Sequence, residues 1–189
     1  MMILSDYNPA WKDAFHAFAR IYGDALGDLI TRIEHVGSTA IVGIAAKPII
    51  DIDLVMADYS KLPAISAKLA ALGYRHNGDQ GIPQREAFNR LDDKAPWTGE
   101  NRAWMAHNLY LCPEDSRELW RHVTFRDYLN QHEAARLEYE RIKRDIEARA
   151  GGDRKVYAGI KENEGVCSAF VERVLKAADG DATKSSENI

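Results

Sequence analysis

The sequence predicts an α/β domain of the α+β kind: a mixed, mostly antiparallel sheet flanked by helices, with a helical C-terminal part. Three observations lead there. An apolar strand runs from Ile49 to Met56 and carries Asp51 and Asp53; two further extended stretches follow, suited to antiparallel pairing; and the pattern after Pro113 is helical. A length of 189 residues suits one domain with a real core. With 46% hydrophobic and 29% charged residues, the composition is that of an ordinary soluble protein.

Asn8-Pro9 opens a helix through Ile21-Tyr22, with apolar residues at 11, 14, 15, 18, 21 and 22 in helical spacing. Gly23 to Asp28 extends or ends it. Leu29 to Val36 reads as the first strand, and Thr39 to Ala46, small and apolar, as a short helix or turn. Pro48 closes that segment and begins the aspartate-bearing strand, where its missing N–H does least harm. Ser60 to Leu72 forms the next helix, with Leu62, Ile65, Leu69 and Leu72 on one face and Gly73 as its stop. Tyr74-Arg75-His76 is extended, and Asn77 to Gln80 is a turn.

Ile82 to Leu91 and Met105 to Leu111 read as two strands in antiparallel pairing. Between them Asp92 to Asn101, polar and carrying Trp97, reads as a mobile loop placed to close over a ligand. Pro113-Glu114-Asp115 starts the helical part: Ser116 to Asn130, then Gln131 to Arg149 with i,i+4 charge pairs such as Glu140 and Arg144. Gly151-Gly152-Asp153 breaks the chain, and Lys155 to Lys176 forms a final helix with an interruption expected near Gly159. The domain thus covers residues 1–178, and the small, polar tail 179–189 is expected to be disordered.

Asp51 and Asp53 alternate with Ile50, Ile52 and Leu54, so both project from one strand face. Two carboxylates there are costly unless a positive partner binds them, and a hard cation such as Mg2+ (or Mn2+) is one such partner. The other reading is a pair of strand-end acids facing solvent or paired with Lys47 or an arginine. Upstream, Val36-Gly37-Ser38-Thr39 reads as a strand ending in a tight turn, where N–H groups and hydroxyls can face a phosphate.

A Gly-Ser turn, twelve intervening residues and Asp-x-Asp on a strand resemble the nucleotidyltransferase superfamily signature. More widely, Tyr7-Asn8-Pro9-Ala10-Trp11, Arg32 to Ala40, Ala45 to Ile52, Leu72-Gly73-Tyr74, Gly81-Ile82-Pro83, Trp120-Arg121-His122, Phe125 to Leu129 and Lys161 before Ala169-Phe170-Val171 resemble the GrpB family (the UPF0157 group). The resemblance covers roughly residues 5 to 177. It implies a nucleotidyltransferase-like fold, with Gly37, Ser38 and Thr39 at the triphosphate and Asp51 and Asp53 as catalytic metal ligands. Related domains are fused to dephospho-CoA kinase. Lys47 has two readings, as a phosphate partner or a cap on the strand start. Arg85, Arg121 and Lys161 are further nucleotide-binding candidates. His35 matches the family motif but equally suits a satisfied strand-end histidine.

Two departures stand out. Where the family commonly has His-His-Leu-His-Val, this chain has His107-Asn108-Leu109-Tyr110-Leu111, keeping His107 alone. Nucleotidyltransferases also commonly use a third carboxylate on a neighbouring strand, and Glu86 is the acid available for that place.

The functional expectation is metal-dependent transfer of a nucleoside monophosphate from a nucleoside triphosphate to a small-molecule acceptor. The alternative is a non-catalytic module of the same fold binding a nucleotide or a CoA-like ligand. A net charge of −4 disfavours nucleic acid as partner. Cys112 and Cys167 form no disulfide framework or metal spacing, no apolar run reaches membrane-spanning length, and Met1 to Tyr7 lacks a signal-peptide pattern, so a cytoplasmic protein is expected.

Overall fold

The computed structural model describes residues 2–186, with side chains as far as 181. Helix α1 (Ala10–Leu26) starts behind Pro9, with the Asn8 side chain accepting from the Ala10 N–H at 2.9 Å. It buries Trp11, Phe18, Tyr22 and Leu26, the stripe that its spacing predicts. Strand β1 (Arg32–Val36) follows after a 3-10 turn at Gly27–Leu29, which takes Leu29, the residue expected to begin the strand. Strand β2 (Ile50–Met56), helix α2 (Leu62–Ala71) and strand β3 (Tyr74–His76) come next. Strand β4 is shorter than expected, Glu86–Arg90, because Gln80, Gly81 and Gln84 all take positive φ and turn the chain back. Strand β5 runs from His107 to Pro113.

The sheet order is β1-β2-β5-β4-β3, with β2 and β5 parallel and every other pair antiparallel. One face is covered by α1 and α2. There Ile50, Ile52, Leu54 and Met56 of β2 pack with Leu109 and Leu111 of β5, Phe18 and Tyr22 of α1, and Ile65 and Leu69 of α2. Each such large apolar side chain contributes about 1.5–3 kcal/mol on burial. The loop expected to close over a ligand lies on this side instead: Ala95 is buried in the core and Trp104 packs on it, while Trp97 N–H donates to Leu72 O at 2.8 Å.

On the opposite side lie α3 (Arg117–Gln131), α4 (Glu133–Ala150), α5 (Arg154–Asn163) and α6 (Val166–Ser186), with α3 packed on the sheet and α4 and α6 packed on α3. Ser116 caps α3 and Asp153 caps α5 through side-chain oxygens. The last break falls at Glu164-Gly165, where Gly165 takes φ 70°, while Gly159 stays inside α5. Helix α6 continues to Ser186, into the segment expected to be disordered, with no proline to stop it; residues 187–189 of that segment lie outside the described residues. Ile41, Ile44, Leu129, Tyr139, Phe170 and Val174 form a second core beneath these helices. Among the described residues no helix is long and apolar enough to cross a membrane.

Candidate active site

The period-two alternation of β2 sends Asp51 and Asp53 to the face opposite the main core, towards α3 and α5. Asp53 is fully buried. Its Oδ2 pairs with Nδ1 of His122 on α3 at 2.7 Å, and His122 Nε2 lies 3.3 Å from Glu118 Oε1. Burial alone would lower the pKa of His122, but hydrogen bonds and charge from Asp53 and Glu118 win and raise it to about 9. His122 is therefore an imidazolium at neutral pH. Asp53 Oδ1 is buried with no hydrogen-bond partner.

Asp51 is half-buried, and burial raises its pKa against the opposing pull of the Asn108 hydrogen bond and of the Lys161 and His122 charges. Its Oδ1 accepts from Asn108 Nδ2 at 2.7 Å, across the parallel β2–β5 pair. Its Oδ2 lies against Gly37: a Cβ at that position would sit 2.1 Å from it. The turn residue can thus be glycine and nothing larger, and its φ of 68° and ψ of −171° agree.

Two cavities share Ser38, Asp51 and Lys161 in their walls. The larger, about 490 Å³, is walled by Gly37, Glu118, Arg121, His122, Phe125 and Tyr139 among others. The smaller, about 230 Å³, is walled by Lys47, Asn108, Lys143 and Tyr157 with the shared three. Lys143 of α4 is 2% exposed, donates to Ala45 O, and has its pKa brought to about 7 by burial.

Gly37, Ser38, Asp51, Arg121 and Lys161 line the larger cavity, and Lys47 lines the smaller one beside it. Arg121 is tied to Glu118 and Glu172. Arg85 lies over the Tyr110 ring, 4.5 Å from its centroid, with Nε buried and unpartnered. Thr39 is turned away: it is 3% exposed, donates to Ile49 O at 3.2 Å and contacts His35 Nε2 at 3.0 Å, so it fixes the turn. His35 stacks on Phe15 and is held neutral, with burial first and Arg126 second in lowering its pKa to about 4. His107 faces the core, hydrogen-bonded to Tyr74 Oη and Met105 O. Glu86 also faces that side, opposite Leu111, where it binds His76 and Tyr59 and lies away from the aspartates.

Sequence reasoning missed Glu118, Lys143 and the pairing of His122 with Asp53. A signal for the first existed, since Glu118, His122 and Arg126 recur at i,i+4 and form one polar stripe on α3.

The donor set suits a hard cation in part. Asp53 Oδ1 has free lone pairs in a buried position, beside a second carboxylate on the same strand face. Mg2+ takes one or two carboxylates when substrate phosphates and water complete its shell. Among the described residues there is no group of three His, Cys, Asp or Glu side chains placed to hold a metal alone.

A family model described as GrpB protein matches residues 1–176. A UPF0157 protein of Halalkalibacterium halodurans is 30% identical over 176 residues, spanning 93% of this chain and 82% of the relative. The crystal structure of the conserved protein GrpB from Enterococcus faecalis superposes with a TM-score of 0.73 at 25% identity, covering 93% of this chain and 96% of that one. A dephospho-CoA kinase of Mycolicibacterium paratuberculosis is 27% identical over 175 residues; the match spans 82% of this chain but 42% of the kinase.

Proposed function

The chain belongs to the GrpB family, and from that premise we propose that it is a Mg2+-dependent nucleotidyltransferase, moving a nucleoside monophosphate group from a nucleoside triphosphate to a small-molecule acceptor. The observation that carries the reading is the buried, unpartnered Oδ1 of Asp53, which shares a strand face with Asp51 beside the Gly37-Ser38 turn. An orphaned buried oxygen costs on the order of 1–3 kcal/mol, and a bound cation would offset that cost.

Asp51 and Asp53 would hold the ion. When bound, the ion neutralises charge on the phosphates and favours departure of pyrophosphate. Gly37 lets the backbone come close to the phosphates, and the Ser38 hydroxyl donates to them. Lys47, Lys161, Arg85 and Arg121 supply positive charge, while Asn108 fixes the Asp51 carboxylate by its amide. The acceptor hydroxyl or amine attacks the α-phosphorus, and the bond to the β-phosphate oxygen breaks. Phe125 and Tyr139 give the larger cavity an aromatic wall for the base or the acceptor. Two buried, unpaired cysteines suit a reducing cytoplasm.

A second reading, a binding module for a nucleotide or CoA-like ligand without turnover, draws on two observations. Glu86 lies on the other face of the sheet, and Asn108 and Tyr110 stand beside the aspartates in place of the family's histidines. The similarity to part of a dephospho-CoA kinase is compatible with a CoA-like ligand. The test is release of pyrophosphate from each nucleoside triphosphate with Mg2+ and a fractionated pool of small-molecule acceptors. Release by the wild type and none by Asp51→Asn supports transfer. Tight nucleotide binding without release under every acceptor fraction supports the binding module.

A further inference from the structure

The smaller cavity has a charge pattern of its own. Lys47 comes from the loop before β2, Lys143 from α4 and Lys161 from α5, and all three line about 230 Å³ of space whose one acidic wall residue is Asp51. Burial first, and the charge of Lys161 after it, lower the pKa of both Lys47 and Lys143. Glu162 acts on Lys47 and Lys161 by its charge from outside the pocket wall, and two other nearby acids are engaged elsewhere. Glu140 accepts from the Ala45 N–H and pairs with Arg144, and Glu147 accepts from the Ile3 and Leu4 N–H groups. Lys47 lies over the Tyr157 ring at 4.2 Å, and Lys143 over the Tyr139 ring at 4.7 Å while donating to Ala45 O. Lys47 and Lys161 thus share a wall with a third amine, Lys143, poised near neutrality, and an anion in the pocket would favour the charged form of all three.

We infer that the Lys47–Lys143–Lys161 pocket is a binding site for a diphosphate group, seated on the side of Asp51 away from His122. The Lys47 and Lys161 ammonium groups, Lys143 once charged, and the Ser38 hydroxyl at the pocket's edge match the several oxygens and multiple negative charges of such a group. Its origin as the β- and γ-phosphates of a nucleoside triphosphate rests on the nucleotidyl-transfer reading; free pyrophosphate carries the same chemistry. With the diphosphate here, the α-phosphate falls beside Asp51 and the nucleoside extends into the larger cavity, which shares Ser38, Asp51 and Lys161 with the smaller one.

The experiment is calorimetric titration of wild type, Lys47→Ala and Lys161→Ala with inorganic pyrophosphate in metal-free buffer, with ATP plus Mg2+, and with AMP. Circular dichroism checks that each variant is folded; the two lysines chosen are less buried than Lys143, so their removal leaves the core intact. The expected result is pyrophosphate affinity at least about tenfold weaker in each variant, with AMP affinity unchanged in Lys47→Ala, whose lysine lines the smaller cavity and not the larger. Pyrophosphate that does not bind the wild type, or binds all three proteins alike, overturns the pocket assignment whatever ATP does. Lysine-dependent pyrophosphate binding with no nucleoside triphosphate bound keeps the diphosphate site and removes the nucleotidyl-transfer reading. Mg2+-dependent ATP binding indifferent to both lysines keeps that reading and removes this site.

Discussion

Gly37 and Asp51 are locked together: the Gly37 Cα faces the Asp51 carboxylate so closely that an added methyl would lie 2.1 Å from Oδ2. The turn that follows β1 and the acid on β2 are thus one unit. Gly37→Ala therefore meets both a clash and a glycine-only backbone region, and it should destabilise the fold by about 1–3 kcal/mol or more. Urea denaturation reads this, and an unchanged midpoint would mean that the turn relaxes freely.

His122 is the counterion of Asp53, whose side chain is fully buried. His122→Ala leaves a buried carboxylate with neither oxygen paired, for an expected loss of about 3–5 kcal/mol. The double variant Asp53→Ala/His122→Ala should lose less than the sum of the single changes, because the stranded charge is gone. Additive losses in the same denaturation series would contradict the pairing.

The pH dependence of stability has a defined direction at His107. Burial lowers its folded pKa to about 4, below the unfolded value of about 6.5. Between these values the unfolded chain binds the proton and the folded one does not. Stability is therefore full above about pH 6.5 and falls as pH drops towards 4, by about 3 kcal/mol from this residue. His35, also with a folded pKa of about 4, adds to the same slope. Thermal midpoints between pH 7 and 4 should fall less steeply in His107→Gln than in the wild type, and equal slopes would refute the assignment.

Asn108 holds Asp51 by one hydrogen bond at the position next to it across the parallel pair. Groups that orient a metal-binding carboxylate commonly matter by about 10–100-fold in affinity. Asn108→Ala should weaken Mg2+–nucleotide binding by at least about tenfold while changing stability little. Calorimetric titration measures the affinity directly.

The aspartate strand was legible because two acids in an apolar run allow few explanations, and period two fixes their common face. The same rule places Glu86 and His107 on the other face, but only once strand register is known: Glu86 opposes Leu111, and His107 starts β5 beside Ile50. The start of β4 was misplaced because a turn with positive φ at Gln80 and Gln84 is not encoded by glycine at those positions. The helix break fell at Gly165, which needs a left-handed φ, while Gly159 is tolerated in α5. The loop around Trp97 was misjudged because Ala95 and Trp104 anchor it to the core through contacts far away in sequence. His122 was hidden for a similar reason, since its partner Asp53 lies 69 residues away.

The central claim is that Asp51 and Asp53 bind a nucleoside triphosphate through Mg2+. The most direct measurement is thermal stability of the wild type and of Asp51→Asn/Asp53→Asn, titrated with Mg2+ and each nucleoside triphosphate. A ligand of the native state at 100 times its Kd stabilises by about 2.7 kcal/mol. A Mg2+-dependent rise is expected with at least one nucleotide in the wild type, and none in the double variant. No rise with any nucleotide, or an equal rise in both proteins, would contradict it.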